Sequence, residues 1–344
     1  MSSSIRQPSG ELVTVFGGSG FIGRHVVRAL ARQGRRIRVA VRRPDLAFHL
    51  QPLGGVGQIQ PVQANLRNRA SVARAVAGAD AVINLVGIMH QGGRQRFDAV
   101  HGFGARAVAE AAAAAGVPQL VHVSALGASP DSGSAYARSK ANAERAVLDA
   151  FPGAVILRPS VVFGPEDRFF NRFAQLATFL PVIPLVGADT RVQPVFVGDV
   201  AEAAARALDG AARPGATYEL AGPEVMTIRE AAELTLRVIR RRRALAGLPF
   251  GLAKLQAFML EVAHLASLGL LPDSLRLTRD QVELLRHDNV LSDEAVAENR
   301  TLAGLGVIPQ GVEGIIPTYL WRFRKKGQFE PPPKVGSGAR EAEA

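Results

Sequence analysis

The sequence predicts an α/β protein built on a doubly wound parallel sheet, with a smaller, mainly helical C-terminal domain. Short apolar runs rich in β-branched residues alternate with helical segments from residue 11 to residue 162, the order that builds parallel sheets. The runs are apolar almost throughout, as strands covered on both faces must be. After Gly164 the character changes, and proline and glycine punctuate "GPEDRFF", "LPVIPLVG" and "RVQPVFVGDV".

In order, "ELVTVFGG" reads as the first strand, and "FIGRHVVRALARQG" as a helix stopped at Gly34. "RRIRVAVRR" is the second strand and "VGQIQPVQANL" the third. "NRASVARAVAGA" is a helix and "DAVINLVG" a fourth strand. The Ala-rich helix "DAVHGFGARAVAEAAAAAGV" leads to a fifth strand, "QLVHVSALGA". The helix "YARSKANAERAVLDA" leads to a sixth, "GAVILRPSVVFG". Beyond these, "VAEAAARALDG" is a helix and "ATYELAGPEVMTIREAAELTLRVI" reads strand, turn, helix. Residues 244–271, "ALAGLPFGLAKLQAFMLEVAHLASLGLL", read as largely helical and unusually apolar. The expected division is a flexible N-terminus over 1–10 and a sheet domain over 11–162, to which 192–222 return. The smaller domain takes 163–191 and 223–330, and a Pro-rich then polar tail over 331–344 reads as disordered.

Composition narrows the function. Hydrophobic residues make up 47% of the 344 and charged residues 21%, a globular balance. The absence of cysteine excludes disulfides, thiolate catalysis and cysteine-ligated metals. No metal site is predicted. "MSSSIRQPSG" has no apolar run, so no signal peptide is expected, and no stretch is long and apolar enough to span a membrane. The net charge is +11, mostly from arginine. Arginine written for lysine in a GC-rich genome accounts for this, and so does a phosphate-bearing cofactor, an acidic partner or an anionic membrane surface. Aromatic residues are too rarely interleaved with the basic ones for nucleic acid to be expected.

The loop Gly17-Gly18-Ser19-Gly20-Phe21-Ile22-Gly23 lies between a strand and a helix. Gly17, Gly20 and Gly23 fit G-x-x-G-x-x-G, and Gly18, Gly20 and Gly23 fit G-x-G-x-x-G. A dinucleotide needs this turn, a bare backbone beside its pyrophosphate, and the free N–H groups of a helix N-terminus. The second strand ends in "VAVRRP". An acidic residue there selects NAD through the ribose 2′-OH, and arginine accepts a 2′-phosphate. Arg42 and Arg43 occupy the place, and Arg24 adds a cation just past the third glycine. NADP(H) is therefore favoured over NAD(H).

"GGSGFIG", "NLVG", Ser124 in "VHVSALGA", "YARSK", "LRPSVVFGPEDRF" and "PVFVGDVAEA" together resemble an extended or atypical short-chain dehydrogenase/reductase, on a Rossmann-type fold, over roughly residues 11 to 225. The ending, "LPDSLRLTRDQVELLRHDNV" and "TLAGLGVIPQGVEGIIPTYLWRFR", resembles the branch holding the NADPH-binding accessory subunit of respiratory complex I and its bacterial relatives. That branch is also similar to a protein associated with ubiquinone biosynthesis. The resemblance implies that Gly17, Gly20 and Gly23 hold the pyrophosphate, and Arg42 and Arg43 the 2′-phosphate. Asn65 and Leu66 would lie near the adenine, where the family more often has Asp-Leu. Val86 and Gly87 would line the ribose, and Pro159 and Ser160 the nicotinamide. Ser124, Tyr136 and Lys140 match the catalytic set. His101 stands where many members carry an Asn that supports a proton relay; it either substitutes or fills space.

Tyr136 and Lys140 are four apart, on one face of a helix. An ammonium close to a phenol lowers its pKa toward a useful acid–base range, and a serine at a strand end can hold a substrate oxygen. The alternative is that Tyr136 caps the helix and Lys140 only grips a ribose. Complex I branch members resemble cofactor-holding proteins more than turnover enzymes. The expected function is accordingly an NADPH-holding protein at a membrane-associated respiratory or quinone assembly. The other reading is an active NADP-dependent oxidoreductase or epimerase on a nucleotide sugar, isoprenoid or quinone intermediate. Expected partners are complex I or quinone-biosynthesis proteins. Residues 240–271 join Arg240, Arg241, Arg242 and Arg243 to an apolar run, readable as domain core or as an interfacial helix on an anionic membrane. The expected location is the cytoplasm, peripheral on the cytoplasmic face of the inner membrane.

Overall fold

The computed structural model describes residues 10–93, 95–254 and 278–329. Seven parallel strands form the central sheet: β1 (Leu12–Phe16), β2 (Arg36–Val41), β3 (Ile59–Gln63), β4 (Ala81–Asn84), β5 (Gln119–Val123), β6 (Val155–Pro159) and, later in the chain, β11 (Thr217–Leu220). Their order is β11-β6-β5-β4-β1-β2-β3. The direction of travel reverses between β1 and β4, which sit side by side with Phe16 paired to Asn84. That reversal makes a crevice at the carboxyl ends of the strands.

Side chains alternate across the sheet and build two cores. Val13, Val15, Ile83 and Leu157 face α1 (Phe21–Arg32) and α6 (Val197–Leu208). Phe16, Val82, Leu120 and Ile156 face α2 (Arg69–Val76), α3 (Phe103–Ala114) and α4 (Ala135–Ala150). One turn of π-helix, Asp98–Gly102, precedes α3 and carries His101.

A third core lies outside the sheet. It joins α5 (Phe170–Phe179), β8 (Val182–Val186), α7 (Ile228–Ile239) and the apolar residues Val312, Ile316 and Leu320. α7 opens on a capping box, in which the Thr227 hydroxyl takes the Glu230 N–H and the Glu230 carboxylate takes the Thr227 N–H. Short pairs join β7 (Val162–Phe163) to β10 (Val195–Phe196), and β9 (Arg191–Val192) to β12 (Met226–Thr227). The helix expected from residue 244 does not begin there. Ala244–Leu248 is β13, paired in parallel with β8. The run is short, contains Gly247 and stops at Pro249, and β8 offers it an open edge. Residues 250–254 are helical as expected; the remainder, residues 255–271, lies outside the described residues, as do the expected N-terminal arm (1–9) and the tail (330–344). Of the arginines before β13, Arg241 donates to the Phe323 carbonyl and Arg243 to the Ala177 carbonyl, so these two brace the fold. Among the described residues no helix is long and apolar enough to cross a membrane.

The segment 278–292, which opens with helix α8 (Arg279–Leu284), runs over the carboxyl edge of the sheet. It is fastened by a buried charge network. Arg158 on β6 grips Glu144 of α4 with two hydrogen bonds, at 3.0 and 2.6 Å. Its other nitrogen lies 4.0 Å from Glu219 of β11. Glu219 in turn accepts from the Ser292 N–H and hydroxyl. Glu144 is 6% exposed, and Arg158 supplies both of its side-chain hydrogen bonds. Removing one partner of such a pair strands the other charge. Arg158→Ala should lower the unfolding free energy by about 3 kcal/mol in urea denaturation, and Arg158→Met with Glu144→Leu should regain most of it. A loss within experimental error for Arg158→Ala would show that the pair does not hold α4 to the sheet.

Candidate functional site

The glycine loop follows β1 directly. Gly17 has φ +78° and Gly20 is the N-cap of α1, with no side chain capping the helix. Its first amides are thus left for an external acceptor. Three of its glycines have no room for a side chain. A Cβ on Gly17 would lie 3.1 Å from Val86 Cγ2, and one on Gly18 2.9 Å from Val39 Cγ1. A Cβ on Gly23 would come within 2.3 Å of the Gly17 carbonyl, so α1 packs directly on the turn. Ser19 and Ile22 are half-buried in this turn, and Phe21 packs against His25.

At the end of β2 both arginines are exposed, but they differ. Arg43 is held by Asp45 through two hydrogen bonds, 3.0 and 2.7 Å. Arg42 has no partner among the described residues. Arg24 reaches across to Glu166 at 3.2 Å, and its buried Nε has no partner. Asn65 follows β3 as a turn-former, accepting the Arg67 N–H, and Leu66 is buried against Gly104. Val86 and Gly87 follow β4; the Val86 N–H donates to Asn84 Oδ1. Gly87 faces His101 and Lys140, whose Nε2 and Nζ would lie 3.7 and 3.8 Å from a Cβ placed there. The Pro159 carbonyl accepts the Leu126 N–H, and the Ser160 hydroxyl donates to Asn289 Oδ1 at 2.6 Å.

Ser124, Tyr136 and Lys140 come from the end of β5 and from α4. Ser124 is 5% exposed and its hydroxyl has no partner. The Tyr136 phenol oxygen likewise has none among the described residues; its ring meets Phe97 and His101 edge-on. Lys140 is 3% exposed, and its Nζ donates to the Val123 carbonyl at 2.9 Å. Burial lowers its pKa to about 8, against a partial offset from Glu144. Tyr136 departs from the expected lowering. Burial pushes its phenol up to about 12, and the Lys140 Nζ is hydrogen-bonded to the Val123 carbonyl instead. The protein alone therefore keeps the phenol protonated.

His101 does more than fill space. Its Nε2 accepts the Ile88 N–H at 2.9 Å, which places the proton on Nδ1, and Nδ1 lies 2.8 Å from the Ser139 hydroxyl. Ser139 donates on to the Tyr136 carbonyl at 2.7 Å. The imidazole thus ties the loop after β4 to the turn carrying Tyr136, with both nitrogens engaged. Several residues here were not singled out from the sequence: Asn84, which braces Val86 and His122; Phe97; and Asp280 and Asn289 from the far segment. Asn84 carried a signal, since a lone polar residue in an apolar strand asks for a buried partner. Asp280 and Asn289 carried none, because their partners are more than a hundred residues away.

The buried, unpartnered Ser124 hydroxyl, the bare glycine cradle and the uncapped α1 fit an NAD(P) cofactor along the carboxyl ends of β1, β4 and β5. His101 also makes a pH test available. Burial, then the Lys140 charge, lowers it from 6.5 to about 3. The unfolded chain takes the proton near 6.5 while the folded protein does not. Stability is therefore full above 6.5 and lost as the pH falls from there toward 3. His101→Asn should lessen the loss between 6.5 and about 5, above most carboxylate titration, without abolishing it, since burial also lowers His122. Chemical denaturation at stepped pH reads this; an unchanged slope would contradict the neutral, buried assignment.

The NAD dependent epimerase/dehydratase family matches residues 13–221. NADH dehydrogenase (ubiquinone) 1 alpha subcomplex subunit 9 of Arabidopsis thaliana mitochondria is 36% identical over 341 residues, 97% of this chain and 82% of the relative. A ceramide reductase of Caulobacter vibrioides is 38% identical over 190 residues, 55% of this chain and 58% of that one. In structure, an NADPH-dependent quinone oxidoreductase of Escherichia coli complexed with NADPH superposes with a TM-score of 0.68. It shares 22% identity over 90% of this chain and 99% of that one, a likeness of fold. The chain belongs to the NAD dependent epimerase/dehydratase family of short-chain dehydrogenase/reductase-like proteins, and within it to the branch of the complex I alpha subcomplex subunit 9.

Proposed function

We propose that this chain holds NADPH as an accessory protein of the complex I type, docked on a membrane-associated respiratory assembly. One observation carries the reading. The likeness to the Arabidopsis subunit runs through 97% of the chain, C-terminal region included, whereas the likeness to the ceramide reductase covers 55%. Burial pushes the Tyr136 phenol up to about 12, so it does not serve as a base at neutral pH, while its proton remains available to a substrate oxygen.

In this reading the Gly17–Gly23 loop holds the pyrophosphate, and Asn65 and Leu66 border the adenine. Val86, Gly87 and Lys140 border the nicotinamide ribose, and Pro159 and Ser160 flank the nicotinamide. Arg42, at the end of β2 and without a partner among the described residues, supports NADP(H) over NAD(H). Its neighbour Arg43 adds to the 2′-phosphate site by leaving Asp45, an exposed pair that costs little to part. When bound, the cofactor supplies a hydride donor or acceptor. Exposed Arg242 beside β13 suits an anionic membrane surface, and the protein then lies peripherally on the cytoplasmic face of the inner membrane. Complex I or a quinone-biosynthesis protein is the partner.

The unpartnered Ser124 hydroxyl favours a second reading, an NADP-dependent oxidoreductase or epimerase on a nucleotide sugar, isoprenoid or quinone intermediate. There, Ser124 and Tyr136 would both donate to a substrate oxygen, and Lys140 would carry the compensating charge.

Binding and turnover separate these readings. Arg42→Asp with Arg43→Ala should weaken NADPH by about a hundredfold and NADH by about threefold or less, from the loss of charge-assisted phosphate contacts. Equal losses would refute the NADP(H) preference. Tyr136→Phe should leave NADPH retention and assembly with complex I unchanged. Loss of a measurable carbonyl reduction in that variant would establish the enzyme reading.

A further inference from the structure

The N-terminus of α4, where Tyr136 sits, has two caps. The local one is Ser134, whose hydroxyl accepts the Ala137 N–H. The second comes from 145 residues downstream: Asp280 Oδ1 accepts the Ala135 N–H at 2.6 Å. Its Oδ2 accepts the Tyr136 N–H at 3.1 Å and the Ser134 hydroxyl proton at 2.9 Å. Between them the caps satisfy the first three amides of the helix. The remote cap also puts a carboxylate at the positive end of the helix dipole. Ser134 alone is enough to start a helix of this length. Asp280 adds a fixed connection between the helix end and the C-terminal segment.

The other end of the same peptide is also taken. The Tyr136 carbonyl accepts from Ser139, which is held by His101. With its N–H and its carbonyl both engaged, and its ring bounded by Phe97 and His101, Tyr136 is positioned from outside its own helix. The segment that brings Asp280 also brings Asn289, which receives the Ser160 hydroxyl and donates to the Leu126 carbonyl. Leu126 and Ser160 lie just past the ends of β5 and β6, beside Ser124. The segment 278–292 thus braces the nicotinamide half of the crevice and leaves the half at the end of β2 alone.

We propose that Asp280 is a positioning residue for the nicotinamide end of the cofactor site. By fixing the first turn of α4 it makes that end depend on the C-terminal segment. The inference rests on the NADPH-holding reading above. Its test compares two ligands on the full chain by equilibrium binding: NADPH, and the adenosine bisphosphate half of NADPH, which lacks the nicotinamide ribose. Asp280→Ala should weaken NADPH about tenfold, the scale of a lost helix cap, and leave the adenosine half within about twofold. Asp280→Asn, which keeps one acceptor oxygen, should fall between wild type and Asp280→Ala for NADPH and match both for the half-ligand. If Asp280→Ala does not fold, the Asn variant carries the same comparison. Equal weakening of both ligands would reduce Asp280 to a general stabiliser, and no weakening of either would remove the role. A wild-type chain that binds neither ligand would overturn the cofactor reading, and this proposal with it.

Discussion

Two loops meet with no space between them at the point where the sheet reverses direction. Gly17, after β1, lies against Val86 and Leu85, after β4, closely enough that a methyl group would lie 3.1 Å from the Val86 side chain. That approach requires β1 and β4 to be neighbours, and so requires the strand order of the whole sheet. It brings α1, uncapped, over one side of the crevice, and the Val86–Gly87 turn, with His101 and Lys140 behind it, over the other. A larger residue at Gly17, Gly18 or Gly23 forces apart the elements on which every other site residue is mounted.

Behind this contact the polar groups form two closed sets. The chain from Ile88 through His101 and Ser139 to the Tyr136 carbonyl holds loop to helix. The network of Glu144, Arg158, Glu219 and Ser292 holds helix to sheet to C-terminal segment. Each fully buried group in them has a defined partner, which is the condition under which buried polar networks hold one geometry. Outside these sets, the buried Ser124 hydroxyl has no partner among the described residues, and the Tyr136 ring is bounded by Phe97 and His101. Burial raises the Tyr136 phenol and lowers Lys140.

The sheet was legible in the sequence because its signals are local. Apolar runs such as "AVINL" and "AVILRP", the glycine turn, and helix spacing through "YARSKANAERAVL" each specify their element within about a dozen residues. The second unit was less legible. Residues 244–248 read as the start of an apolar helix, and only the open edge of β8, some sixty residues away in sequence, makes them a strand. In the site, glycines and the Ser-Tyr-Lys set announce themselves by type and spacing. Their supports do not. "TRDQ" signals a helix start through Thr278 and Gln281, yet nothing in it says that Asp280 caps a different helix. Nor does "RRPD" say that Asp45 will take Arg43 and leave Arg42 alone.

A fold shared with reductases and a branch shared with respiratory subunits leave one question of use, whether the crevice stores its cofactor or spends it. The most direct measurement is purification of the native chain in mild detergent, with the nucleotide in the eluate identified and its redox state followed over time. NADPH is expected at about one per chain, stable in its reduced form, eluting with complex I subunits. An eluate without nucleotide, or one whose NADPH is steadily oxidised while no complex I subunit accompanies it, would rule out the NADPH-holding role.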